Sequence, residues 1–475
     1  MKVLLIVFAY FIVLMVISRL TSHRADNNTF YRARRRAPWY MVAFGMVGAS
    51  ISGITFVSVP GMVLTSQMTY LQMCLGFIVG YFVIAFLLLP LYYRLQLTSI
   101  YTYLGQRLGS RSYLTGAWFF LLSKMAGASV RFYVVCIILQ QFVFDPAGIP
   151  FIVNIAGMVL LIWLYTRRGG IGTLVFTDTF QTLCLFTALI LIILEAMGHL
   201  NLSVSQAVNA VADSEMSRVF VFDDWVSPHH FWKQFLSGAF IAIVMTGLDQ
   251  DMMQKNLTCK SLRDAQKDMC TYGMAFVPAN LLFLFLGVLL TIALGTDMKG
   301  DELLPTFVQG TSAVYLFVLG IVAASFSSAD SALTSLTTCY CVDICNQPDN
   351  ELLRKRIHMV MCAVFVLFIL LVHYANSSSL IDVIYILASY TYGPLLGLFA
   401  FGLFTKQMPI DARVPYICIA SPLLCYALDA ATQTLFSYHF GYELLMLNGL
   451  LTFAGLWLTR NKKNCCRHIK NMHLA

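Results

Sequence analysis

Apolar stretches of about 18 to 25 residues recur from one end of this chain to the other, each long enough to cross about 30 Å of hydrocarbon as a helix. Short polar clusters separate them. Inside hydrocarbon every backbone N–H and C=O must find its partner within the chain, which permits only helices or a closed barrel. The alternating strands of about ten residues that build a barrel are absent. Composition agrees: 59% of the 475 residues are hydrophobic, 11% are charged, and the mean hydropathy is +0.75. No soluble domain buries that much apolar surface. The expected fold is an all-α integral membrane protein of about thirteen transmembrane helices. The spans lie near 1–20, 39–66, 69–92, 112–143, 149–166, 171–197, 229–253, 268–295, 312–345, 357–375, 380–405, 412–432 and 438–459.

The first span carries one charge, Lys2, ahead of its apolar run, as a signal peptide would. Its apolar core is longer than a signal core, and no small-x-small cleavage site follows, so it reads as a retained helix. The thirteen cysteines fall mostly one at a time within apolar stretches and read as small buried hydrophobes, not a disulfide framework. Cys465-Cys466 is a candidate acylation site.

Charge gives an orientation. Alternate loops hold nearly all the basic residues, from Arg24, Arg32, Arg34, Arg35 and Arg36 through Arg167, Arg168, Lys255, Lys260 and Arg354 to Arg413 and the tail beyond Arg460. The other loops hold only Arg218, Lys233 and Lys299. This bias predicts a multi-pass protein of the cell (inner) membrane with its N-terminus outside and C-terminus in the cytoplasm. The formal charge of +8 is topological and gives no reason to expect nucleic acid. Only residues 198–228 leave a loop with room for structure of its own.

Polar residues inside the spans mark candidate function. The second span places Gly48, Ser50, Ser52, Gly53 and Thr55 at its middle, followed by Pro60-Gly61. Such a helix breaks easily, freeing carbonyls for a cation and aiming half-helix amides at an anionic group. Close helix packing accounts for the same small residues. In the ninth span Ala324, Ser327, Ser328 and Ser331 share one helical face, bordered by Asp330. A carboxylate in mid-membrane costs about 2.5–3.5 kcal/mol and needs a cation, a proton or water nearby. Asp178, about two turns into the sixth span, has the same need. Lys124 and Arg131 lie in the span 112–143, where Lys124 can snorkel and Arg131 cannot easily do so. The cluster Asp249-Gln-Asp-Met-Met-Gln-Lys255 ends the seventh span, where capping and loop anchoring are its expected roles.

On these residues the chain resembles the sodium:solute symporter family, as a bacterial member. Four segments agree in order: 48–61; Gly169-Gly170 with Thr177-Asp178 and Gln181; Gly247-Leu-Asp-Gln-Asp-Met-Met-Gln254; and Ser389-Tyr-Thr-Tyr-Gly-Pro-Leu-Leu-Gly-Leu-Phe399. The resemblance implies a LeuT-type core of two inverted five-helix repeats, 39–197 and 229–405, in a single transporter domain. Residues 1–38 add an N-terminal helix and basic loop, and 406–475 add two helices and a basic tail. It implies a sodium site from the carbonyls of Gly48, Ile51 and Ala324 and the hydroxyls of Ser327 and Ser328. A second ion position would involve Asp178, Asp330 and Ser331, with sodium, a proton or nothing in it. It implies a substrate pocket at Ser50, Ser52 and Thr55, with Arg131 suited to an anion. Thr55 and the pair Met245-Thr246 replace the amides and the aromatic of galactose carriers, which disfavours a stacked sugar and favours a carboxylate or sialic-acid-like anion.

The expected function is sodium:solute symport by alternating access, with Na⁺ as coupling ion and no organic cofactor. The partners are a small solute, sodium ions and the bilayer, and the protein is monomeric or weakly oligomeric. A proton-coupled symporter and a non-transporting solute sensor are the rival readings. HExxH, GxSxG and GxGD motifs are absent, and the chain reads as no enzyme.

Overall fold

The computed structural model describes residues 2–23, 25–225, 227–375, 380–436, 440–441 and 443–460. Cys465-Cys466 and the basic tail lie outside the described residues. Each expected span coincides with a helix or a broken helix, from Lys2–Thr21 to Leu444–Leu458. Among the described residues seven helices are long and apolar enough to cross a membrane, and two bent pairs bring the number to nine. Leu5–Thr21, Phe151–Thr166 and Leu444–Leu458 are apolar but shorter. Among the described residues β-pairing is limited to two isolated bridges, Ala37 with Cys259 and Pro409 with Arg460.

The two bent pairs give the molecule its character. Trp39–Ser50 and Gly53–Gly61 meet at 62°, and Phe231–Gly247 and Gln250–Asn256 at 71°. In the first, the Ser50 hydroxyl donates to Met46 O at 2.9 Å, competing with the helical ladder. Ile51 (φ −82°, ψ 92°) and Ser52 (φ −80°, ψ 172°) then leave helical space. In the second, a π-helical turn over Ile243–Gly247 widens the ladder, and Asp249 restarts the helix by accepting from the amides of Asp251 and Met252.

At the centre runs Ala313–Ile344, 89% of whose apolar window is buried, against 28% for Glu351–Tyr374 and Asp411–Leu435. Its small residues explain this place: helices carrying Ala and Ser approach closely. It packs on helices Ser110–Leu139 and Ile171–His199 and on both halves of the first broken span.

The expectation of structure in only one loop is corrected. The loop 198–228 does hold Val204–Ala212, started by a Ser203–Gln206 capping box. Short helices also form at Asn27–Arg32, Thr102–Arg107 and Gly300–Val308. The last buries Leu303, Leu304, Phe307 and Val308. It grips the first broken span, where Ser58 donates to Asp301 at 2.6 Å. These helices are too short to show a period in sequence. In the basic loop, Asp26 caps Asn27–Arg32; the Thr29 hydroxyl and backbone N–H, then Arg34, hold its carboxyl down to about 2.

Candidate functional site

Three helices converge below the break of the first broken span. A methyl group added at Gly48 would lie 1.9 Å from Thr182 Oγ1, so glycine is what lets Trp39–Ser50 reach helix Ile171–His199 there. Asp178 lies one turn before Thr182 on the same face, and Ser327 donates to Asp178 Oδ1 at 2.8 Å. The central helix thus meets the same stretch. Just past the break, a methyl group at Gly53 would lie 2.2 Å from Ser325 Oγ, which is buried without a partner among the described residues.

The break also frees backbone oxygen. Ile51 N–H bonds to Val47 O, and the next bond of the ladder is Phe56 N–H to Ser52 O. The carbonyls of Gly48 and Ile51 therefore accept from no backbone N–H among the described residues. On the central helix Ala324 is buried, and the Ser328 hydroxyl, also buried, makes no hydrogen bond among the described residues. Carbonyl and hydroxyl oxygens suit a hard monovalent cation better than a transition metal. No group of three or more His, Cys, Asp or Glu side chains suited to a metal forms among the described residues.

Each of the two membrane carboxylates has its own partners. Asp178, 2% exposed, faces Lys255, whose Nζ lies 2.8 Å from Oδ2. Asp330, fully buried, receives the Tyr165 hydroxyl at 2.7 Å on Oδ2 and the Ser331 hydroxyl at 3.2 Å on Oδ1. Asp178 is thus joined to Ser327, and Asp330 to Ser331.

Above the break lies a cavity of about 130 Å³ lined by all four expected substrate residues, Ser50, Ser52, Thr55 and Arg131. Tyr81, Lys124, Thr246, Asp249, Tyr272 and Tyr392 line it too. Because the single hydrogen of Ser50 goes to Met46 O, Tyr272 donates to Ser50 at 2.6 Å, and Tyr81 donates to Tyr272 at 3.0 Å. Ser52 and Thr55 hydroxyls stand 3.5 Å apart. Arg131, half-buried, makes no hydrogen bond or ion pair among the described residues.

Three sequence expectations change. Lys124 does not snorkel; it is buried, with Nζ 2.7 Å from Asp251 and 3.2 Å from Asp249. Asp249 does cap a helix, but at the cavity wall, where the Tyr392 hydroxyl donates to it at 2.5 Å. Lys255 is no loop charge, being 3% exposed. Sequence reasoning missed Tyr165, Tyr272 and Tyr392 because nothing local marks a tyrosine whose partner lies over a hundred residues away. The cluster of two acids and a base from Asp249 to Lys255 was the visible signal for the rest.

Residues 30–411 match the model of the sodium:solute symporter family. The chain is 23% identical over 449 residues to the sodium/sialic acid symporter SiaT of Proteus mirabilis (strain HI4320), covering 87% of each chain. It is also 23% identical over 478 residues to the sodium/sialic acid symporter NanT of Aliivibrio fischeri (strain ATCC 700601 / ES114), covering 94% of this chain and 91% of that one. Its fold is that of a Na⁺-coupled sialic acid symporter solved in a substrate-bound outward-open state, with a TM-score of 0.79, 20% identity and 97% of each chain covered.

Proposed function

The chain belongs to the sodium:solute symporter family, and from that premise we propose that its passenger is a carboxylate-bearing solute of the sialic acid type. That it is a multi-pass membrane transporter, coupled to sodium and not an enzyme, follows from the family. The observation carrying the substrate class is Arg131. A guanidinium with no hydrogen bond or ion pair among the described residues, on the wall of a membrane cavity, is costly unless an anion completes it. Ser52 and Thr55 add hydroxyls near the start of the half-helix Gly53–Gly61, whose amide end favours negative charge. The sialic acid carriers among its relatives support the same class.

In this reading sodium binds the carbonyls of Gly48, Ile51 and Ala324 and the hydroxyls of Ser327 and Ser328, tying the broken span to the central helix. Solute then binds the cavity above. A second cation position involves Asp178, Asp330 and Ser331. The moving bodies are the repeats 39–197 and 229–405, each of which opens on a broken span. Residues 1–38 and 406–475 flank them. The carrier is monomeric or weakly oligomeric in this reading. The basic loops orient it in the inner membrane with the N-terminus outside. With a carboxylate as passenger one sodium moves no net charge; with a second sodium one charge crosses, which over 100 mV releases about 2.3 kcal/mol, enough for roughly fifty-fold accumulation.

The test is a thermal-shift screen of the purified protein against sialic acid, simple monocarboxylates, neutral sugars and amino acids, each with sodium or with choline. Stabilisation by sialic acid that requires sodium is expected. Stabilisation by a neutral sugar alone would overturn the substrate class.

A further inference from the structure

Beyond the capped break of the second broken span, the half-helix Gln250–Asn256 carries buried charge at both ends. At the cavity end, the Asp249 carboxylate receives Lys124 Nζ at 3.3 and 3.2 Å and the Tyr392 hydroxyl at 2.5 Å. The same ammonium reaches Asp251 at 2.7 Å. At the other end, Lys255 reaches Asp178 at 2.8 Å, and Asp178 holds the Ser327 hydroxyl at 2.8 Å. Between them Gln254 donates to Thr338 Oγ1 of the central helix at 2.9 Å.

These contacts form one continuous path. Lys124, Asp249 and Tyr392 face the cavity beside Arg131, whereas Ser327 belongs to the proposed sodium site. Asp249 and Lys255 ride on one α-helical segment, separated by a rise of about 9 Å, and a hydrogen-bonded helix does not stretch. Movement at one end therefore reaches the other.

Stability gives little reason for such an arrangement. Buried ion pairs contribute no more than well-packed apolar residues of the same volume. Lys124, however, has two carboxylates to choose between, and Asp251 Oδ1 has no hydrogen-bond partner among the described residues. An ammonium held by two acceptors at once, one of them under-used, can release one and keep the other. That is what a coupling element requires.

We propose that the half-helix Gln250–Asn256, pinned by Lys124 at the cavity and by Lys255 at Asp178, carries the coupling between solute and sodium, with both lysines as positioning residues. The inference rests on the reading that sodium binds at Ser327. An anion entering beside Arg131 draws Lys124 toward the cavity, loosens its hold on Asp249, and shifts Lys255 and with it the Asp178–Ser327 pair. Sodium at Ser327 sends the same displacement in reverse, as linkage requires.

The experiment uses sodium alone as probe. Sodium-dependent thermal stabilisation of the full-length purified protein is titrated for wild type, Lys124→Met, Lys255→Met and the double variant, with Lys124→Arg as the conservative replacement. Each single methionine variant lowers half-saturating sodium by about fivefold or more, the lower end of ordinary coupling strengths, because each releases the path as bound solute does and Lys255→Met also removes a cation from beside the Asp178–Ser327 pair. The double variant shifts no further than the larger single, because both act on one path. Lys124→Arg stays within about twofold of wild type. Should Lys124→Met fail to fold, Asp251→Asn, which removes one of the two carboxylates, carries the same expectation. A folded Lys124→Met with the wild-type sodium midpoint, or a double variant whose shift is the product of the singles, overturns the proposal while leaving the sodium reading intact. Absence of sodium stabilisation in the wild type overturns the sodium reading, and the coupling path with it.

Discussion

Lys255 Nζ lies 2.8 Å from Asp178 Oδ2, and both residues are buried. A carboxylate two turns inside a membrane helix thus finds its counter-ion within the protein. Lys255→Met strands that charge, at an expected cost of about 3–5 kcal/mol. It should appear as a lower unfolding temperature in detergent. Adding Asp178→Asn, which removes the stranded charge, should recover most of the loss. A single variant as stable as wild type would show that the pair is not what neutralises Asp178.

Ser327→Ala and Ser328→Ala each remove one oxygen from the proposed sodium site while leaving the carbonyls in place. The double variant should need about tenfold more sodium for half-maximal uptake, the factor that corresponds to roughly 1.4 kcal/mol. Uptake by the double variant with unchanged sodium dependence would sink the site assignment.

Arg131→Gln should weaken binding of a carboxylate solute by about 10- to 100-fold, since a hydrogen bond to a charged group contributes about 1.5–3 kcal/mol. Arg131→Lys keeps the charge but loses the fork, and should fall between. Sodium stabilisation measured without solute should stay close to wild type in both. If Arg131→Gln binds sialic acid as tightly as wild type does, the anion is held elsewhere.

Gly48→Ala drives a methyl group to 1.9 Å from Thr182 Oγ1 and 2.7 Å from its Cβ, so rotating the threonine does not relieve the clash. A loss of about 1–3 kcal/mol is expected, measured by thermal unfolding in choline so that sodium binding does not enter. Thr182→Gly in the same chain should restore part of it. A neutral Gly48→Ala would mean that the two helices are not in close contact.

The sequence was most legible where the physics is local. Span length follows from bilayer thickness, and the broken helix at 50–53 follows from serines whose hydroxyls compete with the ladder and a glycine whose backbone freedom weakens it. The hydroxyl face of Ser327, Ser328 and Ser331 follows from helical spacing. The cavity residues Ser50, Ser52, Thr55 and Arg131 were found from two segments about eighty residues apart, and they line one space. What stayed hidden was partnership. Lys124 looked like a snorkelling residue and Lys255 like a loop charge because a hydropathy window sees each one alone. Only the fold brings Lys124 to Asp249 and Asp251, or Tyr165 to Asp330.

The Ser58–Asp301 bond has a mechanical consequence. It fastens the half-helix Gly53–Gly61, which lines the cavity, to Gly300–Val308, a short helix in the connection before the central span. Any tilt of that half-helix must drag its cover along, so a change hidden in the protein interior is displayed as a shift of surface. A protease or an antibody fragment directed at residues 295–312 would sense the transport cycle without entering the pathway, much as a pointer outside a case reports the movement within.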